Sequence, residues 1–278
     1  MSFILAYELA PSGEKALEIQ AGSPDDLTRQ LPQGFYTTFR TLAGGTKVLG
    51  LNSHLDRLYK PALVQGMQPA LTRDELKRVL VRLVGQNAPG ESRIRLVLSA
   101  SDSPGAIYAI LEPFRPLPGE VYQNGVHVIS LPLERTTPRL KSTTFIERSQ
   151  SARQLVHGDT FEVLLMRHGR ILEGMTSNFF YVKNGRLGTA RKNILLGVTR
   201  RTVLRVGRGI GLEIEYRPLQ REQVSLLNEA FLTSSSRGIV PIVQIDDVTV
   251  GEGRPGEVTN RLRNRYEAYI ESHAEKFT

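Results

Sequence analysis

Apolar residues occur in short runs through the first half of the chain, and turn-forming residues separate these runs. The runs are rich in β-branched and aromatic residues, which favour strands. Glycine, aspartate and proline lie between them in AGG and DSPG, so the pattern predicts strands joined as hairpins. The predicted strands are FYTTFRTL, TKVLGL, SRIRLVLSA, AIYAILE and VHVISLPL.

A second pattern, with apolar residues three and four positions apart, predicts helices. One helix is expected near NSHLDRLY, with Asn52 or Ser53 as its cap. Another follows Thr72, which is expected to form a capping box with Glu75 ahead of LKRVLVRLV. Further helices are expected over FIERSQSARQLV, from about Val198, and after Pro255.

The segment EPFRPLPGE has three prolines within six positions, which is too many for a helix or a central strand. We therefore expect a linker at about 112–120. It would separate a small N-terminal domain, 1–115, from a larger C-terminal domain, 116–278.

Composition narrows the class of protein. The 278 residues are 40% hydrophobic and 23% charged, an ordinary globular mixture. No apolar run approaches the roughly 20 residues that span a bilayer, and the first residues have neither a basic leader nor an adequate apolar core. A cytoplasmic protein without a membrane partner is expected. The absence of cysteine removes disulfides and thiolate nucleophiles, and five scattered histidines predict no metal site.

The net charge of +8 raises the question of nucleic-acid binding. The basic residues are spread along the chain, and no nucleic-acid motif accompanies them. Their densest group is in GVTRRTVLRVGRG, where a solvated helix face or a site for a small anion explains them equally well. We expect no nucleic-acid partner.

Three places in the sequence are suited to a phosphate. A helix beginning at GVTR offers unpaired N–H groups, and Gly197 permits close approach, although a plain glycine-initiated helix explains the same residues. LTSSSRG, from Thr233 to Gly238, offers hydroxyls and amides, or is simply a polar turn. Arg57 could clamp a phosphate, or be a surface arginine.

Pyridoxal 5'-phosphate would fit a site that combines a phosphate seat, a lysine and the carboxylate of Glu173. Its aldehyde forms a Schiff base with lysine, and a carboxylate at its ring nitrogen lets the ring accept electrons. Between Glu173 and GVTR the dipeptide Asn184–Gly185 predicts a tight hairpin.

The ordered motifs HLDRL, LKSTTF, EGMTSNFF, LLGVTR and TSSSRGIVPIVQIDD…VGEGRPGEVT resemble the class IV, fold-type IV pyridoxal-phosphate enzymes. These include branched-chain aminotransferases, D-amino-acid aminotransferases and 4-amino-4-deoxychorismate lyases. The resemblance extends from about Gly34 to Arg261. It implies an α+β protein of two domains, a small N-terminal α/β domain and a larger C-terminal domain with a mixed β-barrel-like sheet and helices.

The resemblance also implies roles for individual residues. Lys141 is the expected Schiff-base lysine and proton carrier, and Glu173 is expected to pair with the ring nitrogen. Cofactor contacts are expected from Arg57, Glu173, Val198, Thr199 and Ser235. Substrate contacts are expected from Tyr36, Arg40, Arg93, Arg95 and Ser236.

Two positions depart from the branched-chain pattern. Ile146 stands where those enzymes have a tyrosine, and Arg93 where they have an aromatic residue. The stretch FYTTFR is nearer the lyase, whereas VPIVQIDD…VGEGRPGEVT is nearer the aminotransferases.

The favoured activity is therefore transamination from an amino acid to a 2-oxo acid through Lys141. The alternatives are the lyase, which releases pyruvate and 4-aminobenzoate, and a non-catalytic binding protein. The identity and hand of the amino donor stay open. The resemblance implies a homodimer.

Overall fold

A computed structural model describes residues 4–101 and 104–277, which fold as two compact units. Within the described residues, the first unit comprises the chain up to Arg115, Leu140–Arg148, and the residues from His273 onward. The second comprises Pro116–Arg139 and Ser149–Ser272. The range 116–278 expected from the sequence is therefore interrupted by two stretches that belong to the first unit.

Both units are built on β-sheets. In chain order they are β1 (Leu5–Ala10), β2 (Gly13–Ala16), β3 (Gly34–Leu42), β4 (Lys47–Val48), β5 (Ser92–Ser99), β6 (Ile107–Pro113), β7 (Val126–Leu131), β8 (Thr160–Arg167), β9 (Arg170–Gly174), β10 (Asn178–Lys183), β11 (Arg186–Gly188), β12 (Ile214–Glu215), β13 (Leu219–Gln220), β14 (Glu229–Ser234), β15 (Gly238–Ile245), β16 (Val248–Thr249) and β17 (Glu275–Lys276).

The helices lie between the strands along the chain. They are α1 (Pro24–Arg29), α2 (Leu51–Val64), α3 (Arg73–Gly85), α4 (Gly119–Asn124), α5 (Thr144–Arg148), α6 (Gln150–Gln154), α7 (Val198–Gly209) and α8 (Glu257–His273), with a 3₁₀ helix at Arg221–Leu226.

The first unit is built on a seven-stranded sheet in the order β17-β4-β3-β5-β6-β1-β2, in which every neighbouring pair is antiparallel. Alternate residues of β3 and β5 face a core to which α2 and α3 contribute their apolar stripes. The predicted capping box is confirmed, since Glu75 N donates to Thr72 Oγ1 and Thr72 N donates to Glu75 Oε2 at 2.8 Å.

The cap expected for α2 was wrong. The helix begins at Leu51, with Gly50 as its cap in the left-handed region (φ 66°), ahead of Asn52 and Ser53. The N–H of Leu51 donates instead to Glu275 Oε1 at 2.9 Å, from β17. A distant side chain satisfies this helix start, so no local cap residue is needed.

The single helix expected over FIERSQSARQLV is also wrong, because α5 and α6 replace it. The break falls at Ser149, which is fully buried and has φ −93° and ψ 11°. Arg148 and Ser149 are also where the chain passes from the first unit to the second, so the interruption of the helix coincides with that passage.

The second unit contains a ten-stranded mixed sheet in the order β12-β11-β10-β14-β15-β7-β8-β9-β13, with β16 beside β15. Strand β7 runs parallel to both β8 and β15. The predicted Asn184–Gly185 turn joins β10 to β11, and both residues have positive φ (51° and 73°), as a two-residue hairpin turn requires.

Helices α7 and α8 pack their apolar stripes against one side of β10 and β14. A separate apolar cluster is formed by β7, β8, β9, β13 and β15 together with the alternate residues of β10 and β14. In the described ranges, no helix is both long enough and apolar enough to cross a membrane.

Candidate functional site

Lys141 lies in the first unit, where its segment extends the sheet beside β3. Tyr36 N donates to Lys141 O at 2.8 Å, and Thr143 N donates to Gly34 O at 2.9 Å. Gly34 also packs closely on β5, because a Cβ there would lie 1.9 Å from Leu98 O. The Lys141 ammonium is 4.7 Å from the centroid of the Tyr36 ring, so the aromatic face positions the amine.

The three arginines expected to meet substrate share one face of the first sheet with Tyr36, because Arg40 pairs with Arg93 and Thr38 with Arg95 across β3 and β5. Each has a carboxylate partner. The ion pairs are Arg40–Glu91 at 3.1 Å, Arg93–Glu112 at 2.8 Å and Arg95–Asp25 at 2.6 Å.

Arg95 is the member of this group that the structure brings near Lys141. Its guanidinium lies 5.1 Å from the same Tyr36 ring. It is buried, and one of its nitrogens also donates to Pro24 O and Thr28 Oγ1, each at 2.9 Å. These contacts hold α1 against the sheet, so Arg95 has a structural role whatever else it binds. Arg57 is half-buried on α2 of the same unit.

Glu173 is buried near the end of β9 in the second unit, with 1% of its surface exposed. Its Oε1 accepts from Arg135 Nε at 3.0 Å. Its Oε2 accepts from Leu195 N at 3.0 Å and from Asn178 Nδ2 at 3.3 Å. These donors favour the ionised carboxylate and fix its orientation.

Asn178 connects this carboxylate to the start of α7. Its Nδ2 also donates to Leu195 O at 2.7 Å, and its Oδ1 accepts from Gly197 N at 3.2 Å. The contact requires glycine, because a Cβ at position 197 would lie 2.3 Å from Asn178 Oδ1. One amide side chain therefore fixes the spacing between Glu173 and the helix start.

The start of α7 has the properties of an anion seat. Val198 and Thr199 are buried, and the first turn contains no acidic residue. No side chain caps the helix within the part of the chain described. The first amides of an α-helix lack partners inside the helix and carry the positive end of its dipole.

Ser235 and Ser236 lie in the turn between β14 and β15, half-buried. Arg237 holds this turn, since it donates to Ser234 Oγ at 3.2 Å and to the buried Glu162 at 2.7 Å. Glu162 Oε1 also accepts from Thr176 N at 2.6 Å. The Glu162–Arg237 pair thus joins the turn after β9 to the turn after β14.

Two buried hydroxyls in the same unit, Ser177 Oγ and Thr233 Oγ1, have no hydrogen-bond partner among the described residues. Buried polar atoms are normally paired. Ser177 follows the end of the Glu173 strand, and Thr233 precedes the turn that contains Ser235 and Ser236. Both hydroxyls are available to a polar ligand.

The class IV aminotransferase family model matches residues 34–245 of the chain. The protein is a class IV aminotransferase family member.

Similar proteins of this family cover the chain well. A putative branched-chain-amino-acid aminotransferase of Methanocaldococcus jannaschii is 28% identical over 79% of this chain and 81% of its own. The D-alanine aminotransferase of Bacillus licheniformis is 28% identical over 99% of both chains. The aminodeoxychorismate lyase of Bacillus subtilis is 28% identical over 86% of both.

Among solved structures, a putative branched-chain amino acid aminotransferase from Thermotoga maritima superimposes with a TM-score of 0.80. It is 25% identical, and the match covers 96% of this chain and 96% of that one. The fold-type IV architecture expected for this family member is confirmed.

Class IV aminotransferases are enzymes that use pyridoxal 5'-phosphate, and this family member is one of them. The second unit suits the cofactor's two polar ends. Glu173 is a buried carboxylate of the kind that accepts a ring N–H, and the uncapped start of α7 suits a phosphate. The unpartnered Thr233 hydroxyl adds a donor of the kind that phosphates take.

The sequence motifs contained several of the residues that build this geometry without indicating their function. Asn178 stands in EGMTSNFF and Arg135 in RTTPRLKSTTF, yet neither was singled out. Sequence patterns did not indicate the roles of Leu195, Glu162 and Arg237 either. Their roles come from contacts between residues far apart in sequence, such as the 38 positions between Arg135 and Glu173.

Proposed function

We propose that this enzyme transfers the amino group of an amino acid to a 2-oxo acid, with Lys141 as the catalytic amine. The observation that supports it best is the series Glu173, Asn178, Gly197, in which one amide holds a buried carboxylate at a set spacing from an uncapped helix start. Such a pair suits an aromatic cofactor with a basic ring nitrogen at one end and a phosphate at the other.

Pyridoxal phosphate, when bound, supplies an electrophilic aldehyde carbon and a ring that accepts an electron pair. Glu173 accepts the ring N–H and so keeps the nitrogen protonated. The amides of Val198 and Thr199, the hydroxyl of Ser235 and the guanidinium of Arg57 bind the phosphate.

Lys141 has two tasks in this proposal. Its amine would hold the aldehyde group of the cofactor, and when free it would carry the proton at the substrate Cα. Tyr36 positions the amine through its ring face. Arg95 and Ser236 are proposed to contact the substrate carboxylate, and Arg40 and Arg93 to shape the charge of the same sheet face.

The first experiment is a half-reaction. The cofactor-loaded protein is mixed, one amino acid at a time, with L- and D-amino acids, and the 2-oxo acid product is measured by mass spectrometry. We expect one stoichiometric equivalent of 2-oxo acid from some donor, with pyridoxamine phosphate formed in the same amount. Failure of every amino acid to release a 2-oxo acid would contradict transamination.

The second experiment locates the amine. Borohydride reduction of the cofactor-loaded protein should attach the cofactor to the peptide containing Lys141. Lys141→Ala should lose both this label and turnover, whereas Lys183→Ala, a change at the end of β10 in the second sheet, should keep both. A label on another lysine would refute the assignment.

A second candidate activity is the 4-amino-4-deoxychorismate lyase. Two observations favour it: a relative with that activity is 28% identical, and Ile146 is fully buried in apolar contacts where branched-chain aminotransferases have a tyrosine. Release of pyruvate and 4-aminobenzoate from aminodeoxychorismate, with no amino donor consumed, would favour the lyase. We also propose that the protein is a cytoplasmic homodimer. Sedimentation of the purified chain would test whether it forms a dimer.

A further inference from the structure

A second concave site lies in the second unit, at the tip of the β8–β9 hairpin. The loop before α7 and the segment after β12 complete its walls. Its volume is about 490 Å³, within the range of small-molecule pockets. This site is called the basic pocket from here on. Its polar lining comprises Arg167, His168, Arg170, Arg191, Lys192, Asn193 and Tyr216.

The pocket is strongly positive. It has four permanent cations and no acidic residue in its lining. Arg167 pairs with Glu134 at 3.3 Å, but both side chains of that pair are more than 40% exposed, so the pairing is weak. Arg170, Arg191 and Lys192 have no carboxylate within 4.0 Å among the residues that the structure describes. Concave sites lined by one sign of charge concentrate counter-ions.

Tyr216 organises the arginines around the pocket. Its hydroxyl accepts from Arg208 Nη2 at 2.5 Å. Its ring lies 5.4 Å from the guanidinium of Arg191 and 5.9 Å from that of Arg200. In addition, Arg139 donates to Arg191 O at 3.0 Å. The guanidinium of Arg191 is therefore held beside the Tyr216 ring before any ligand arrives, which lowers the entropy cost of binding.

Arg200 shows that positive charge accumulates here. It is 4% exposed and donates to Ala190 O at 2.7 Å, while its Nε has no partner among the described residues. Burial lowers the pKa of Arg200, and the like charges of Arg139 and Arg191 lower it further, against the opposite effects of Tyr216 and Glu173. An anion bound beside Arg191 would relieve this repulsion.

The basic pocket and the Glu173 carboxylate use different faces of β9. Leu172 lines the pocket, and successive side chains of a strand point to opposite faces, so Glu173 points away from it. The proposed phosphate seat at Gly197 to Thr199 begins four residues after Asn193 and has its own lining residues. The pocket's cations are therefore not needed to explain cofactor binding.

We propose that the basic pocket binds a small polyanion with two or more phosphate or carboxylate groups. Arg170, Arg191 and Lys192 supply charge-assisted hydrogen bonds, with planar guanidinium groups suited to bidentate contacts. The volume admits a ligand of the size of a diphosphate ester or a tricarboxylate. This site goes beyond the proposed amino-group transfer and does not depend on it.

The test is calorimetric titration of the cofactor-loaded protein with inorganic pyrophosphate and, separately, with citrate, at low ionic strength. Cofactor loading fills the phosphate seat at α7, so the heat reports another site. We expect saturable binding of at least one probe with one site per chain. Binding by pyrophosphate alone would assign phosphate chemistry, and binding by citrate alone would assign carboxylate chemistry.

The variant Arg170→Gln/Arg191→Gln/Lys192→Gln should weaken that binding by about 30-fold or more, since it removes three charged donors. The matched control Lys183→Gln/Arg254→Gln/Arg265→Gln removes the same charge from elsewhere on the second unit and should change it by less than about threefold. All three pocket side chains are exposed, so the variant should fold, and its amino-acid half-reaction provides the check. Absence of binding by both probes, or an equal loss in the control, would overturn the proposal.

The single change Arg191→Lys distinguishes a shaped site from a diffuse field. It keeps the charge but removes the fork and the contact with Tyr216. A loss of about fivefold or more supports the proposed geometry. Unchanged affinity in this variant would show that charge alone attracts the probe, and would overturn the assignment of a built site.

Discussion

Glu162 and Glu173 lie on neighbouring strands of the second unit, and the two carboxylates have similar surroundings. Both are at most 2% exposed, and both accept from one arginine and one backbone amide. The difference is in what those partners connect. Glu162 ties together two turns, through Thr176 and Arg237, whereas Glu173 is tied through Asn178 to the start of a helix. The same chemical pair thus closes loops in one place and sets the spacing of a binding site in the other.

The largest expected effect is on catalysis at Glu173. Glu173→Gln keeps the shape but removes the charge that is proposed to pair with the ring nitrogen, so the half-reaction with the best donor should slow by roughly 1000-fold. Stopped-flow measurement of the cofactor's absorbance gives this rate. The same change at Glu162 serves as the matched control and should slow it by less than about threefold. A slow half-reaction in both variants would end the distinction between the two carboxylates.

Glu162 is expected to matter for stability rather than for catalysis. Glu162→Gln leaves Arg237 without its anion, and a broken buried pair costs about 3–5 kcal/mol. Because the Arg237 side chain is 21% exposed and can turn toward water, we expect a loss of about 2 kcal/mol. Urea unfolding of the cofactor-free protein measures it. An unchanged unfolding midpoint would show that the two turns do not depend on this pair.

Asn178 tests the connection that distinguishes Glu173. Asn178→Ala removes the donor to Leu195 O and the acceptor for Gly197 N, so the helix start is less well fixed. We expect the affinity for pyridoxal phosphate to fall about 10-fold, the equivalent of one or two hydrogen bonds. Spectroscopic titration measures it, and Asn264→Ala, on the exposed side of α8, is the control. Equal affinity in the two variants would refute the proposed spacing role.

The smallest expected effect is on the pH dependence of stability, and it concerns Tyr181 rather than either carboxylate. Burial raises the pKa of Tyr181 to about 12, and its hydroxyl donates to Arg217 O at 3.1 Å. The unfolded chain releases this proton near pH 10, while the folded chain keeps it until about pH 12. Stability should therefore fall as pH rises between these values, and Tyr181→Phe should reduce the slope. A slope that persists unchanged in that variant would assign it to other groups.

Local chemistry made several elements predictable from the sequence. The capping box of Thr72 and Glu75, the Asn184–Gly185 turn and the α7 start at Gly197 each depend on residues within a few positions of one another. The family motifs are likewise local, and they were sufficient to indicate the fold. Sequence patterns of this kind predict the presence of an element better than its bounds, as the α2 start shows.

Contacts between distant residues were not predictable in the same way. Glu275 satisfies the start of α2 from more than 200 positions away, and Arg135 reaches Glu173 from another loop. The basic residues show the same limit. The sequence left a solvated helix face and a small-anion site open for the α7 arginines, and it did not indicate the concave site that Arg170, Arg191 and Lys192 line from two other segments. Such groupings require the sheet register, which no local pattern contains.

The make-up of the first unit has a consequence for the order in which the protein can fold during synthesis. Its sheet includes β17, and its core includes Phe277, whose ring lies 6.5 Å from that of Phe39. The ribosome makes these partners more than 230 residues apart, with the whole second unit between them. The unit whose sequence comes first therefore cannot complete its sheet until the second has been synthesised, and until then an unfinished strand edge at β4 has to be kept from pairing with other chains.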